Sequence, residues 1–127
     1  MSIAAAIRMT APAEDRVIAR ASALAAELGQ SCYAIAIVPD LGSGARTDAE
    51  RDNVERNLTL IESHGATPIV YQAQDVAGAL RDVASAFGVR TLVLKRGRRR
   101  PLRRTTAERL LHLAPPFEVV VLQPEGG

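Results

Sequence analysis

A dense run of cations joins an apolar segment to a helix start, and its residue types are suited to binding anions. Seven of the ten residues from 95 to 104 are Lys or Arg. Guanidinium groups bind phosphate or carboxylate through paired N–H donors, and the unpaired N–H groups of a helix start favour the same ligands. Thr105 stands where that helix begins, with Glu108 at capping-box spacing. We therefore predict an anion site here; the alternative is a solvated loop, or one that contacts an acidic neighbour.

The distribution of charge supports a local anionic partner. Residues 90–109 hold nine of the sixteen Lys and Arg residues but one acid, Glu108. The rest of the chain has seven basic and thirteen acidic residues, a formal charge of −6, against +2 for the whole chain. No aromatic side chain lies within the basic loop to stack on bases, so nucleic acid is not expected to be the partner.

Other residues that could do chemistry lack the neighbours that the chemistry requires. Cys32 has no His beside it in sequence to activate a nucleophile, and we expect it in the core. His64 is expected at a helix end and His112 in the last helix, and neither has a second ligand at metal-binding spacing. Residues 42–44 (GSG) precede no Gly-Lys-Ser or Gly-Lys-Thr, so they are not a phosphate cradle. We predict no metal and no enzymatic activity.

Hydrophobic periodicity predicts five strands that alternate with four helices. Apolar runs typical of buried strands lie at residues 3–7, 32–38, 67–71, 91–94 and 117–122. Between them, apolar residues recur three and four positions apart, which predicts the helices. The expected caps are Thr47 with Glu50, Asp75, Thr105 with Glu108, and Gly29. Glu14 and Asp15 are expected in the first turn of the first helix, where carboxylates favour the helix dipole. Val54, Leu58 and Ile61 are predicted to form the apolar stripe of the second helix.

This alternation predicts an α/β fold, a parallel sheet with helices on both faces. Ligands of such sheets bind beyond the carboxyl ends of the strands, where the winding reverses. If the strand order is 3-2-1-4-5, the reversal lies between the first and fourth strands, and the loops at residues 9–12 and 95–104 meet there. Thr10 and Arg8 are candidates for the facing wall, although Arg8 fits an exposed position at the strand end equally well. Asp40 follows the second strand, where an ordinary turn role is the alternative.

Length and composition set further bounds. At 127 residues the chain is expected to form one domain, residues 1–127. Its single cysteine excludes an intrachain disulfide and fits the reducing cytoplasm. No apolar run approaches the roughly 20 residues that cross a bilayer, so we expect no membrane insertion. The sequence fits a free-standing protein and a domain of a longer chain equally well.

Several blocks of sequence, in their order along the whole chain, carry a family resemblance. They are residues 11–16 (APAEDR), 25–29 (AAELG), 33–38 (YAIAIV), 56–66 (RNLTLIESHGA), 91–94 (TLVL) and 105–110 (TTAERL). The third block is similar to a YAVYV strand and the fourth to an NLRLAEELGA helix, and the last two flank an Arg-rich loop. In this combination the chain resembles universal stress protein domains, most of all those within Kdp-type osmosensitive potassium sensor histidine kinases.

The resemblance implies the universal stress protein fold, also described as adenine nucleotide alpha hydrolase-like, with a five-stranded sheet in the order 3-2-1-4-5. It also implies a cytoplasmic, homodimeric module that binds ATP or another adenine nucleotide. Such a module would regulate rather than catalyse, by relaying a signal to a kinase domain of the same or of another chain.

The phosphate-facing loop departs from the pattern of the ATP-binding members. Those members place an acid at the end of the first strand and follow the fourth strand with Gly-x-x-Gly and, further on, Gly-Ser or Gly-Thr. Here residues 8–10 (RMT) include no carboxylate, Lys95 stands at the first glycine position, and Arg104 precedes Thr105. We therefore expect side chains, rather than backbone amides, to hold the anion. The predicted ligand-binding residues are Thr10, Asp40, Lys95, Arg96, Gly97, Arg98, Arg104 and Thr105.

Two functions follow from these observations. The first is a regulatory module that binds an anionic ligand, an adenine nucleotide above all, through the loop after the fourth strand. The alternative is a degenerate stress-protein fold that binds no nucleotide and serves as a dimerisation module or docks an acidic protein surface. An enzyme such as a nucleotide hydrolase is least favoured, because no general base or metal-ligand pair is evident in the sequence.

Overall fold

The protein alternates parallel strands with helices throughout. A computed structural model describes residues 1–12, 14–40, 46–97 and 103–123. Within these ranges the elements are β1 (Ser2–Ile7), α1 (Asp15–Leu28), β2 (Ser31–Val38), α2 (Asp48–Ser63), β3 (Thr67–Gln72), α3 (Val76–Ala86), β4 (Val89–Lys95), α4 (Thr106–His112) and β5 (Glu118–Leu122). None of the helices in these ranges has the length and apolar character needed to cross a bilayer.

The strands form one parallel sheet in the order β3-β2-β1-β4-β5, which confirms the predicted fold class and strand order. The central strand β1 pairs with β2 on one side and with β4 on the other. The winding therefore reverses between β1 and β4, and their carboxyl ends lie side by side. Strand β4 runs on to Lys95, so the first cation of the basic segment belongs to the sheet and pairs with Leu122 of β5.

Each face of the sheet carries its own apolar core. Alternate residues of β1 face opposite sides, as strand geometry requires: Ile3, Ala5 and Ile7 pack in one cluster and Ala4 in the other. The first cluster also holds buried residues of α1 and α2, including Val17, Ile18, Ala21 and Ile61. The second holds residues of α3, β4 and α4, including Leu80, Val83, Leu92 and Leu110. The small alanines of β1 leave room for helices on both faces.

Local capping chemistry agrees with most of the sequence predictions. Thr47 and Glu50 form the full reciprocal capping box, Asp75 accepts a hydrogen bond from the Gly78 amide, and Gly29 ends α1 in the left-handed conformation. At α4 the Thr105 hydroxyl accepts from the Glu108 amide at 3.1 Å. The Glu108 carboxylate, however, accepts from the Thr105 hydroxyl at 3.2 Å and does not complete a reciprocal box.

The buried face of α2 differs from the predicted stripe at one position. Ile61 is buried and Val54 half-buried, but Leu58 is 41% exposed. Asn57, one residue earlier, is fully buried instead. The helix is therefore rotated so that a polar side chain faces the sheet, and such a residue must find hydrogen-bond partners there.

Asn57 finds its partners in the loop that follows β1. Its side-chain amide donates to the carbonyl oxygens of Met9 at 2.8 Å and Ala11 at 3.0 Å, with Arg8 O at a longer 3.5 Å. Asn53, one turn earlier, donates to the Thr10 carbonyl at 2.9 Å. Side chains of α2 thus hold the backbone of the β1–α1 loop in place. This loop would form one wall of any site beyond the end of β1.

We expect Asn57→Ala to lower the free energy of unfolding by about 1–3 kcal/mol, because it leaves buried carbonyls without donors. Asn53→Ala is the matched control: it removes one hydrogen bond from a half-buried side chain and should cost less than about 1 kcal/mol. Urea unfolding followed by circular dichroism measures both. Equal losses for the two variants would contradict a special role for Asn57.

Candidate functional site

A cleft of about 530 Å³ opens beyond the carboxyl ends of β1 and β4, where the winding of the sheet reverses. This is the position predicted from the strand order. Its lining comes from the ends of both strands and from the starts of α1, α3 and α4: Ala6, Ile7, Arg8, Glu14, Asp15, Arg16, Val76, Leu80, Leu94, Lys95, Arg96, Gly97 and Thr106.

The cleft has an apolar wall and a charged rim. Its apolar lining residues come from β1, β4 and α3: Ala6, Ile7, Leu94, Val76 and Leu80. The cations Arg8, Arg16 and Arg96 are exposed at the rim, and Lys95 is partly buried. The Arg16 guanidinium also donates to the Gln123 carbonyl, which ties the start of α1 to the chain just beyond β5. An apolar wall beside convergent cations is suited to a ligand with one flat, apolar part and one anionic part.

A buried carboxylate, that of Glu14, lies at the base of this cleft. Its side chain is 2% exposed, and its Oε1 accepts a hydrogen bond from the Arg8 amide at 3.1 Å. Its Oε2 lies 3.2 Å from Lys95 Nζ. That contact is an ion pair, and Oε2 accepts no hydrogen bond from the described residues. Glu14 thereby joins the end of β1, the start of α1 and the end of β4.

Glu14 is the main residue that the sequence analysis missed. From the sequence, Glu14 is expected in the first turn of α1, where its charge favours the helix dipole. Because residues 8–10 include no acid, the sequence predicts no carboxylate at the end of β1. In the structure Glu14 occupies the N-cap position, but its side chain makes no capping hydrogen bond and turns back towards β1. The loop allows the side chain to turn back because the Ala11 amide donates a hydrogen bond to the Arg8 carbonyl at 3.0 Å, which folds the chain back on itself. A carboxylate at the end of β1 is therefore supplied from six residues further on.

Three of the eight predicted ligand-binding residues line the cleft: Lys95, Arg96 and Gly97. Arg98 lies outside the described residues. Thr105 is buried, and its hydroxyl is engaged with Glu108 at the start of α4, while the adjacent Thr106 lines the cleft. A Cβ placed on Gly97 would lie 3.9 Å from Thr105 Cβ, so Thr105 sits close behind the strand end.

The other three predicted residues are not part of the cleft lining. Thr10 is half-buried and contributes its carbonyl to Asn53, and Asp40 is exposed after β2. Arg104 lines a separate cavity beside α3 and α4, together with Asp75, Ala77, Arg103, Arg109, His112 and Leu113. The basic segment is therefore divided: its beginning faces the cleft, and its end faces a second cavity.

The remaining reactive residues show no catalytic arrangement in the part of the chain that is described. Cys32 is buried in the core, as predicted, and burial raises the pKa of its thiol to about 11. Within the described ranges, no group of three or more His, Cys, Asp or Glu side chains is arranged so that it could hold a metal ion. His64 is the C-cap of α2, and its carbonyl accepts from Ser22 Oγ at 2.9 Å.

Known structures share this architecture, although no protein-family model and no curated protein matches the chain. The chain has the universal stress protein fold. The universal stress protein from Archaeoglobus fulgidus matches with a TM-score of 0.65 and 19% identity, over 95% of this chain and 97% of its own.

Two further solved structures give the same result. The Archaeoglobus fulgidus protein in complex with dAMP matches with a TM-score of 0.64 and 18% identity, over 95% of this chain and 96% of its own. A universal stress protein family member from Burkholderia pseudomallei matches with a TM-score of 0.64 and 21% identity, over 95% of each chain. Identities at this level establish the fold.

Native Cys32 should react with iodoacetamide at about pH 8 at least about tenfold more slowly than the same thiol in the urea-unfolded chain, because burial disfavours the reactive thiolate. Since the pKa is raised in the folded state, stability from this group is complete below about pH 9 and falls as the pH rises towards 11. Mass spectrometry of the alkylated protein measures the rate. Equal rates in the folded and unfolded chains would show that Cys32 is accessible.

Proposed function

We propose that this chain is a non-enzymatic regulatory domain that binds a nucleoside phosphate, an adenine nucleotide above all, in the cleft beyond β1 and β4. The observation that carries the proposal is the combination of an apolar wall with exposed arginines at the point where the sheet reverses. Open α/β sheets bind their ligands at this point.

The size and polarity of the cleft suit such a ligand. Its volume of about 530 Å³ lies within the range of small-molecule sites. Val76, Leu80 and Leu94 offer apolar surface to a base, and Arg8 and Arg96 offer guanidinium groups to a phosphate. The structure of an Archaeoglobus fulgidus protein with the same fold contains dAMP, which supports a nucleotide as the ligand class.

The regulatory part of the proposal has a different basis. A role in a potassium sensor kinase, dimerisation and transmission of the signal to a kinase domain are supported by the sequence resemblance. Both β3 and β5 are edge strands of the described sheet, and such strands offer unpaired backbone groups to a second copy.

Isothermal titration should detect AMP binding, and adenosine should bind more weakly because it lacks the charged group. Arg96→Ala should weaken AMP binding about tenfold, the effect of losing one charge-assisted hydrogen bond. Arg20→Ala, which removes an exposed arginine of α1 outside the cleft, is the matched control and should leave the affinity unchanged. Failure of AMP, ADP and ATP alike to bind the unaltered chain at millimolar concentration would refute nucleotide binding.

A second candidate function, docking of an acidic protein surface, is favoured by the cavity beside α3 and α4. This cavity also measures about 530 Å³ and is lined by three arginines, a histidine and the apolar Leu113. Among the lining residues that the structure describes, Asp75 supplies a carboxylate, which pairs with Arg109 at 3.0 Å. Arg103 and Arg104 are exposed at its edge, so the lining carries more positive than negative charge.

If this cavity docks acidic protein, a poly-glutamate peptide should shift the amide resonances of residues 103–113 in NMR spectra. The combined change Arg103→Ala and Arg104→Ala should abolish these shifts and leave AMP binding intact, because neither residue lines the cleft. A lysine-rich peptide of equal length is the control. Shifts confined to the cleft, or equal shifts with both peptides, would count against docking at this cavity.

A further inference from the structure

We infer that the cleft binds a nucleotide in its metal-free form, because a pair of arginines, Arg8 and Arg96, supplies the positive charge that Mg²⁺ supplies in many other phosphate sites. Magnesium bound to a triphosphate would then weaken its binding. This inference rests on the proposed function, since it concerns the ligand of the same cleft. It adds the ionic form in which that ligand is bound.

Arg8 and Arg96 lie at equivalent positions on neighbouring strands. The parallel register pairs Ala5 of β1 with Val93 of β4. Arg8 and Arg96 are each three residues further along, and each is the first residue after its strand and is exposed at the rim of the cleft. Because neighbouring strands are about 4.8 Å apart, the two side chains start close together. Their guanidinium groups repel each other, and an anion bound between them relieves this repulsion.

The arginine pair suits the oxygens of a phosphate chain. A guanidinium group donates paired hydrogen bonds to phosphate and keeps its charge at every physiological pH. Two such groups carry the same charge as one Mg²⁺ ion. A Mg²⁺ ion on the chain would bridge the β- and γ-phosphate oxygens that the arginines would bind, and it would lie close to their positive charges. The metal ion and the arginines therefore compete for the same oxygens.

The carboxylates of the described lining do not suit a nucleotide-bound magnesium ion. Such an ion is held by one or two carboxylates in addition to the phosphates. In the described lining the carboxylates are those of Glu14 and Asp15. Glu14 is 2% exposed and its oxygens face the Arg8 amide and Lys95, so its carboxylate is not presented to a ligand. Asp15 is exposed but is followed directly by the cation Arg16, which lines the same cleft.

The test is isothermal titration of ATP into the full chain, once with excess EDTA and once with MgCl₂ in excess over ATP. The ionic strength is kept equal with KCl, because salt alone screens exposed charges. ATP should bind about tenfold more weakly with magnesium, the effect of losing one charge-assisted hydrogen bond. AMP is the matched control ligand. It has no second phosphate group for the metal to bridge, so its affinity should change by less than about twofold.

Two variants separate the arginine pair from Asp15. Arg96→Ala removes one guanidinium group and keeps the backbone hydrogen bond to the Leu122 carbonyl. It should weaken ATP binding in EDTA about tenfold and reduce the effect of magnesium to less than about threefold, because the contact that magnesium disrupts is already lost. Asp15→Asn should leave the effect of magnesium at about tenfold, since the metal ion is not bound through this carboxylate. Thermal melting without ligand shows that both variants are folded.

The results distinguish this inference from the proposed function. If neither AMP nor ATP binds the unaltered chain in either solution, the proposed function fails and the inference fails with it. If ATP binds equally well in both solutions, or more tightly with magnesium, the inference is overturned and the proposed function stands. A full tenfold effect of magnesium in Arg96→Ala, or its loss in Asp15→Asn, would overturn the assignment to the arginine pair.

Discussion

Burial of the Glu14 carboxylate is the constraint on which the geometry of the cleft depends. A buried carboxylate must receive hydrogen bonds or a cation, since desolvation otherwise disfavours its charge. Here the Arg8 amide, in the loop after β1, donates the hydrogen bond, and the Lys95 ammonium group, at the end of β4, supplies the cation. Satisfying one side chain therefore joins the end of β4 to the chain segment between β1 and α1, which is about 80 residues earlier in the sequence. The same contacts of Glu14 thus support the fold and shape the cleft.

The division of the basic segment follows from where β4 ends. Lys95 is still in the sheet, and the Arg96 amide continues the pairing by donating a hydrogen bond to the Leu122 carbonyl oxygen at 2.9 Å. These two residues are thereby directed to the cleft, while Arg103 and Arg104 precede α4 and line the cavity beside it. Under the two functions proposed above, one continuous stretch of sequence would therefore bind both a small anionic ligand and an acidic protein surface.

Much of the fold could be predicted from sequence because its signals are local. Strand runs, helix periodicity and the caps at Thr47, Asp75 and Gly29 depend on residues that are close neighbours in the chain. The strand order came from the family resemblance, and the sheet confirms it. The position of the cleft then followed from the rule that ligands bind where the winding of a sheet reverses.

The composition of the site was less predictable because it depends on tertiary contacts. Glu14 has the sequence context of an ordinary first-turn acid, and only the turn back towards Arg8 reveals its role. Asn57 lies in a helix with many polar residues, where nothing local distinguishes it from Leu58 as the buried one. Thr10 and Asp40 were placed by strand order alone, which locates an edge of the sheet but does not determine which side chains turn into the cleft.

The hydrogen bonds from Asn57 to the β1–α1 loop affect how the protein responds to ionic strength. Its hydrogen bonds join a neutral amide to buried backbone carbonyls, so dissolved salt scarcely weakens them. Under the proposed function the rim arginines, in contrast, would bind the phosphate at the surface, where mobile ions screen charge over a Debye length of about 8 Å at physiological salt. Rising salt would therefore empty the cleft while its walls keep their shape. The fraction of protein with bound ligand would then depend on the salt concentration, while the structure of the loop that α2 holds would stay unchanged.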